Sequence, residues 1–545
     1  MRHSIFALTT FGLLLGSTAA LAGGHSHPET GEKLAEDQTF SYRLLDDVPT
    51  LDPQLIEDVS GSHVARQLFE GLVNQNAPGD NVPGVATAWE ASDSNTVWTF
   101  TLRQDAKWSN GDPVTAHDFV YAWQRAVDPA TASPYAWYME ITEITNASDI
   151  IAGNAAPDTL GVEALDDYTL KVTLNQALPY FPSMTSHATL FPTHQATVEA
   201  HGDDWTKPGN LVGNGAYVLE SRALGEGFSM VKNDAYWDAD NTIVTEIRGV
   251  IITDEAQALT RWEAGEFDMN DELPAGQFPS LQEKYPAAAH SVPRLCSYYY
   301  AVNLSDSGPE ALKDERVREA LSYAIDRDVI VDRVLKGGQS PAYSFTHIAT
   351  AGFEAPEIDY GTWSQAERDA KAKELIEAAR ADGVPVDTMD LDILYNTSEN
   401  HKQIATIISQ MWKQKLGVDA GLENLEWKTY LETRSQQGFD LARAGWCADY
   451  NEASTFLDLM TTPHGSNDGK YSNAEVDALM AASKTADDPQ PLYTQVEEIL
   501  ADEMGLIPIY HYANTFLLDA DMKGFPYENA ENNWYVKEFY RVASE

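Results

Sequence analysis

In TVWTFTLR (96–103), Trp98, Phe100 and Leu102 alternate with Thr99, Thr101 and Arg103. A period of two puts the apolar residues on one face, the pattern of a half-buried strand. The turn SNGDP follows, and Thr115 with Asp118 three places on predicts a capped helix carrying Phe119 and Trp123. Further along, Val317, Leu321, Ala324 and Ile325 form a helical stripe. Ser364 with Glu367 caps another helix, which stops near Gly383. LDILYN (391–396) reads as a strand through Leu391, Ile393 and Tyr395. Ser398 then opens a helix with Ile404, Ile407, Ile408, Met411 and Trp412 on one face, ending at Gly417, and FDLARAGW returns as a strand. Residues 390–446 thus predict strand–helix–strand–helix–strand, an α/β lobe in which ligands favour the strand ends. No internal repeat or low-complexity linker interrupts the chain.

The N-terminus has a different pattern. Met1-Arg2-His3 precedes an apolar run from Ile5 to Leu15, and Ala20-Leu21-Ala22 follows. A positive start, a short apolar run and an A-x-A end describe a secretory signal peptide over 1–22. The run is too short to span a bilayer, and no cysteine near the cleavage point offers a lipid anchor. The mature chain is expected to begin at about Gly23, outside the cytoplasm.

Length and charge narrow the function classes. The 545 residues, 43% hydrophobic, suit about three domains. Thirty-six Lys+Arg against 84 Asp+Glu leave a net charge of −48, which repels nucleic acid and anionic lipid. An acidic surface of this kind stays solvated in salt, so paired acids carry little information about catalysis. The two cysteines, Cys296 and Cys447, most simply form one disulfide in an exported chain.

Catalytic and metal motifs are sparse. The chain has no G-x-S-x-G, H-E-x-x-H or Walker loop, and YWDADNT lacks the glycine and terminal glutamate of a calcium loop. GNGAY (213–217) reads as a turn. Gly23-Gly24-His25, with His27 nearby, would offer a square-planar Cu(II) or Ni(II) site, against the plainer reading of a tail without function. ARAGWCADYNE (442–452) places Asp449 just past a strand end beside Trp446. That carboxylate can hold a cation, or it can cap the following helix.

The segments LDPQLIEDVSGSHVARQLFEGLV (51–73), WTFTLRQDAKWSNGDPVTAHDFVYAWQRAVDPATASPYAWY (98–138), NDAYWD, CSYYYAVN and ARAGWCADYNE together resemble the periplasmic oligopeptide-binding proteins, the family 5 receptors of peptide ABC importers. The resemblance runs from about residue 40 to the C-terminus. It implies an α/β, three-lobed periplasmic binding protein fold, with ligand enclosed between two lobes joined by a hinge. Lobe I would combine 23–70, 192–295 and 514–545; lobe II would be 71–191; lobe III would be 296–513. The implied function is periplasmic capture of short peptides for an inner-membrane ABC permease, by a monomer without enzymatic activity, cofactor, metal or nucleic-acid partner. The alternatives are a murein-peptide receptor, a metal-chelate receptor and an extracytoplasmic hydrolase.

The resemblance also assigns residues. Asp449 would meet the peptide's α-ammonium, with Gly445, Trp446 and Cys447 as walls and backbone partners. Glu57 and Val59 would line the peptide, Tyr135 would reach it from lobe II, and Trp427 and Arg434 would line side-chain pockets. His401 and Arg443 would lie near the ligand's carboxylate, with Tyr299 and Tyr512 as further lining residues. Two departures stand out: Leu335, followed by Lys336, replaces a lysine that serves longer peptides, and Arg294 replaces a tyrosine. A preference for about three or four residues is therefore expected.

Overall fold

In the computed structural model, which describes residues 26–92 and 94–543, both predicted capping boxes form. Thr115 donates its amide to Asp118 at 2.7 Å ahead of the helix Ala116–Val127, and Ser364 donates to Glu367 at 2.8 Å ahead of Gln365–Ala381. Each box meets donors that a first helical turn leaves open. The expected signal peptide and Gly23-Gly24-His25 lie outside the described residues. His27 lies inside them, where its Nδ1 accepts from the amides of Glu29 and Thr30 and closes a turn.

The strand Val97–Leu102 buries Trp98, Phe100 and Leu102 as its alternation requires. It belongs to a four-stranded antiparallel sheet with Ala86–Ala91, Thr169–Thr173 and Val162–Asp166. The GNGAY turn follows at a point of close approach. A Cβ on Gly213 would lie 2.1 Å from the carbonyl oxygen of Leu68, so only glycine fits.

A second sheet, of 11 strands among the described residues, runs through most of the remaining chain. One side contains Leu391–Asn396, Ala420–Leu425 and Leu441–Cys447, with the helices Glu399–Leu416 and Trp427–Ser435 between them. Ile393, Ile404, Ile408 and Trp412 are fully buried there, each contributing about 1.5–3 kcal/mol for an aliphatic side chain and more for the indole. The indole of Trp412 donates to Leu321 O at 2.8 Å, tying this core to the helix Glu315–Tyr323. The other side contains Thr39–Leu44, Tyr217–Ala223, Gly227–Lys232, Glu246–Ile251 and Met269–Asp271.

Two long strands, Ala289–Val302 and Leu506–Leu518, cross from one side to the other. Residues 289–293 pair with 513–517, residues 297–301 pair with 506–511, and the register breaks between Pro293 and Ser297. The backbone freed by this break finds other partners, as a buried chain requires. Leu295 N donates to Ala530 O, and Leu295 O accepts from Ala448 N, both at 2.8 Å. Cys296 and Cys447 face one another in the adjoining ladder and are disulfide-bonded.

The two ends of the described chain meet beside Thr39–Leu44, on the second of these sides. Leu34 bridges to Val542, Gln38 donates to Arg541 O at 2.9 Å, and the Arg541 guanidinium pairs with Asp268.

Candidate functional site

The strand Leu441–Cys447 pairs along its whole length with Ala289–Val302. On its other edge only Leu441 and Ala442 have a strand partner among the described residues. From Arg443 onward that edge borders a cavity that, with its open mouth, encloses about 1660 Å³.

Asp449 lies two residues beyond the strand, with its side chain 9% exposed in the cavity wall. The helix-cap alternative falls to a neighbour: Glu452 accepts the Ser454 amide at 2.7 Å. Asp449 instead fixes its loop through its own amide, which donates to Thr455 Oγ1 at 3.0 Å. Its carboxylate faces Tyr135 Oη at 3.3 Å and His187 Nε2 at 3.4 Å. The Nδ1 of His187 accepts from Thr189 N at 3.4 Å, which leaves the ring proton on Nε2, toward Asp449. The Tyr135 ring stacks on His187 at 5.2 Å. Burial, reinforced by the Asp449 charge, holds the Tyr135 phenol well above its usual pKa, so it remains a donor. Among the described residues no lysine or arginine pairs with Asp449.

The cavity also holds a cation without a carboxylate partner among the described residues. Arg443 Nη2 donates to Tyr512 Oη at 2.6 Å and Nη1 to Asn396 Oδ1 at 3.3 Å, while its Nε is buried with no partner. Gly445 leaves room for this contact, since a Cβ there would lie 3.3 Å from Arg443 Nη2 and 3.4 Å from Tyr512 Oη. His401 lies in the first turn of Glu399–Leu416. Burial first, and then the Arg443 charge, pull its pKa well below the usual value, so the ring is neutral and its buried Nδ1 lacks a partner. A carboxylate here would meet a guanidinium, an imidazole and a helix N-terminus together.

Glu57, Val59, Tyr135, His401, Trp427, Arg434, Arg443, Gly445, Trp446, Cys447, Asp449 and Tyr512 all line this one cavity. Arg434 is held by Asp468 at 2.6 Å, and Trp427 stacks on Tyr430 at 5.8 Å. Tyr299 is the exception. Its side chain leaves the strand on the face opposite Tyr298 and Tyr300 and packs edge-on against Phe345 at 5.1 Å, outside the lining. Leu335 is buried in the core and Lys336 is exposed, and neither lines the cavity. Arg294 does line it, with its guanidinium 6.0 Å from the Tyr512 ring and no ion pair among the described residues.

Sequence reasoning missed several lining residues, among them His187, Arg66 and Glu531. His187 comes from a short turn and Glu531 from the C-terminal tail, and neither has local spacing that marks it.

Residues 80–468 match the family described as bacterial extracellular solute-binding proteins, family 5 Middle. The chain is 43% identical to the periplasmic murein peptide-binding protein MppA of Escherichia coli K12 over 545 residues, covering 99% of this chain and 100% of that protein. It is 42% identical to the periplasmic oligopeptide-binding protein OppA of Salmonella typhimurium, covering 98% of each. The solved structure of the E. coli murein tripeptide binding protein MppA superposes with a TM-score of 0.91 at 43% identity, covering 94% of this chain and 100% of that one. The unliganded open form of MppA, at the same 43% identity and covering 94% of this chain and 98% of that one, superposes with only 0.67. With sequence held constant, the difference lies in how the parts are arranged, and this chain shares the arrangement of the first.

Proposed function

Because the chain belongs to the family 5 bacterial extracellular solute-binding proteins, we propose that it captures short peptides in the periplasm, with broad sequence tolerance, and delivers them to an inner-membrane ABC permease. Its work is binding and not catalysis. One observation carries the reading: a single cavity holds a carboxylate, Asp449, without a lysine or arginine partner, and a guanidinium, Arg443, without a carboxylate partner, among the described residues. A peptide brings the two complementary charges, and burying them unpaired would be costly. Its amides can pair with the open edge of Leu441–Cys447 as an added strand, while waters beside its side chains adapt to different sequences.

Ligand length follows from the same strand. From Arg443 to Cys447 an extended chain rises about 13 Å, the span of three to four peptide residues. The exposed position of Lys336 supports this limit, because the cavity offers no lysine to a more distant carboxylate. The crossing strands and their register break are the hinge of this proposal, and the lobes are those expected at 23–70 with 192–295 and 514–545, 71–191, and 296–513.

A murein peptide is the second reading. It carries a carboxylate within its chain as well as at its end, and the unpaired Arg294 favours such a ligand. Mass spectrometry of ligand released from freshly purified, denatured protein tests both readings, with calorimetry on alanine-lysine peptides of two to six residues. Tripeptides and tetrapeptides are expected to bind most tightly. Recovery of a non-peptide ligand, with no peptide binding, would overturn the proposal.

A further inference from the structure

Glu531 is a lining residue that the peptide-binding scheme above leaves without a task. It belongs to the C-terminal tail, which runs against the crossing strand at the register break. There Leu295 is bonded on one side to Ala530 and on the other to Ala448. Glu531 directly follows the first of these partners, and Asp449 directly follows the second. The two carboxylates are therefore carried into the same end of the cavity by one backbone crossing.

Glu531 is held in place for an acceptor's role. Gln75 Nε2 donates to its Oε2 at 2.9 Å, and Asn533 Nδ2 to the same oxygen at 3.3 Å. Gln75 is oriented in turn, since its Oε1 accepts from Asn533 at 2.8 Å and Asn529 at 3.2 Å. Oε1 of Glu531 has no partner among the described residues and remains accessible at the cavity wall. A carboxylate with one oxygen clamped and the other free is preorganised to accept from a ligand.

We propose that Glu531 is a second ammonium-receiving carboxylate of this cleft, beside Asp449, and that it selects ligands by positive charge at their amino-terminal residue. The proposal rests on the reading of the cleft as a peptide site. The shared chemistry is an ammonium group, supplied either by a basic first side chain or by the α-amine itself.

The charge balance around Glu531 ties this selection to pH. Burial pushes its pKa up to about 7, the Gln75 hydrogen bond and the Arg66 charge oppose the rise, and the Asp449 charge adds to it. From the helix Val59–Leu68 come Arg66 and His63, and burial lowers His63 to about 3, leaving it neutral. From Ala136–Ile141 comes the Tyr138 phenol, which burial keeps protonated. His187 and Tyr135 stand on the far side of Asp449. An incoming ammonium thus favours an ionised Glu531 and expels its proton when the pH is near or below 7.

Calorimetry at pH 8 on the full chain, wild type and Glu531→Gln, tests this with Ala-Ala-Ala, Lys-Ala-Ala and norleucine-Ala-Ala. If the side chain supplies the ammonium, wild type should prefer Lys-Ala-Ala over the norleucine peptide by about tenfold or more, and Glu531→Gln should abolish that preference. If the α-amine supplies it, Glu531→Gln should weaken all three peptides alike by about tenfold. Changes below about threefold for every peptide overturn the proposal. Should the variant not fold, wild type still decides. Binding of Lys-Ala-Ala at pH 7, compared in buffers of different ionisation enthalpy, should release protons, and no release overturns the idea. An acetylated tripeptide keeps the two readings apart. Weak binding of acetyl-Ala-Ala-Ala beside a silent Glu531→Gln removes only Glu531 from the scheme, whereas no binding of any tripeptide removes the peptide site itself.

Discussion

Replacing Asp449 with asparagine isolates the charge at the amino end of the cleft. The substitution keeps size and leaves the Asp449 amide on Thr455, so the loop should persist. The aspartate side chain is 9% exposed, and its two neighbouring donors, at 3.3 and 3.4 Å, are farther away than in strong hydrogen bonds. They do not discharge it, so a bound ammonium would rely on this carboxylate. Removing one partner of a buried charge pair costs roughly 2–5 kcal/mol, mainly through the charge left behind. At about 1.4 kcal/mol per decade, affinity for a free tripeptide should fall about 30- to several-thousand-fold. Acetylating the peptide's amine should cost wild type a comparable amount, and the two losses should not add, because each removes the same interaction. Isothermal calorimetry over the four combinations, with melting curves as a control for folding, measures this. Equal affinity of wild type for free and acetylated peptide would falsify the assignment.

Three further expectations concern stability. Denatured, unreduced protein should show no free thiol. Replacing Cys296 and Cys447 by serine should destabilise by up to roughly 5 kcal/mol on the chain-entropy estimate for a separation of 151 residues, and an unchanged melting temperature would show that the disulfide adds no stability. Glu70 is buried and accepts from Tyr236, Trp237 and Asn74 beside Lys537 Nζ at 3.3 Å, so Glu70→Gln leaves that ammonium only the exposed Glu538 at 3.8 Å and should cost roughly 3–5 kcal/mol in denaturant titrations. A loss under about 1 kcal/mol would show that the lysine finds other support. Burial raises Asp46 and Asp58 to about 6, above their unfolded value near 4, so the folded state binds protons more tightly between those limits. Their contribution to stability therefore grows as pH falls through 6. The melting temperature of wild type relative to Asp58→Asn should rise from pH 7.5 to pH 5.5, and a relative fall would refute the sign.

Much of the fold could be read locally. The Thr115–Asp118 and Ser364–Glu367 boxes and the five elements between 391 and 447 depend on interactions within a few residues, and they form as the spacing requires. That Asp449 and Arg443 share one cavity could be read, because Leu441–Cys447 and the loop after it carry both. The face that Tyr299 takes could not be read from the run YYY, which has no polar alternation. Pairing with Leu441–Cys447 and Leu506–Leu518 decides it. His187 and Glu531 reach Asp449's end of the cavity from distant parts of the chain, so no window of sequence contains their partners. The single sheet spanning both sides of the cleft was hidden for the same reason, since its crossing strands lie more than 200 residues apart.

The meeting of the chain's two ends bears on how the molecule comes into being. Ribosomes release a chain from its N-terminus, and early domains ordinarily fold before later ones exist. Here Gln38 must wait for Arg541, 503 residues later, before its amide has that carbonyl, and Leu34 must wait for Val542. Thr39–Leu44 can pair with Glu246–Ile251 sooner, but the sheet beyond Met269–Asp271 lacks Leu506–Leu518 until nearly the whole chain has been made. Contacts of such long separation close slowly. The half of the molecule that starts first therefore finishes last, and a nascent chain stays unfinished in that half, which keeps it competent to thread through an export channel.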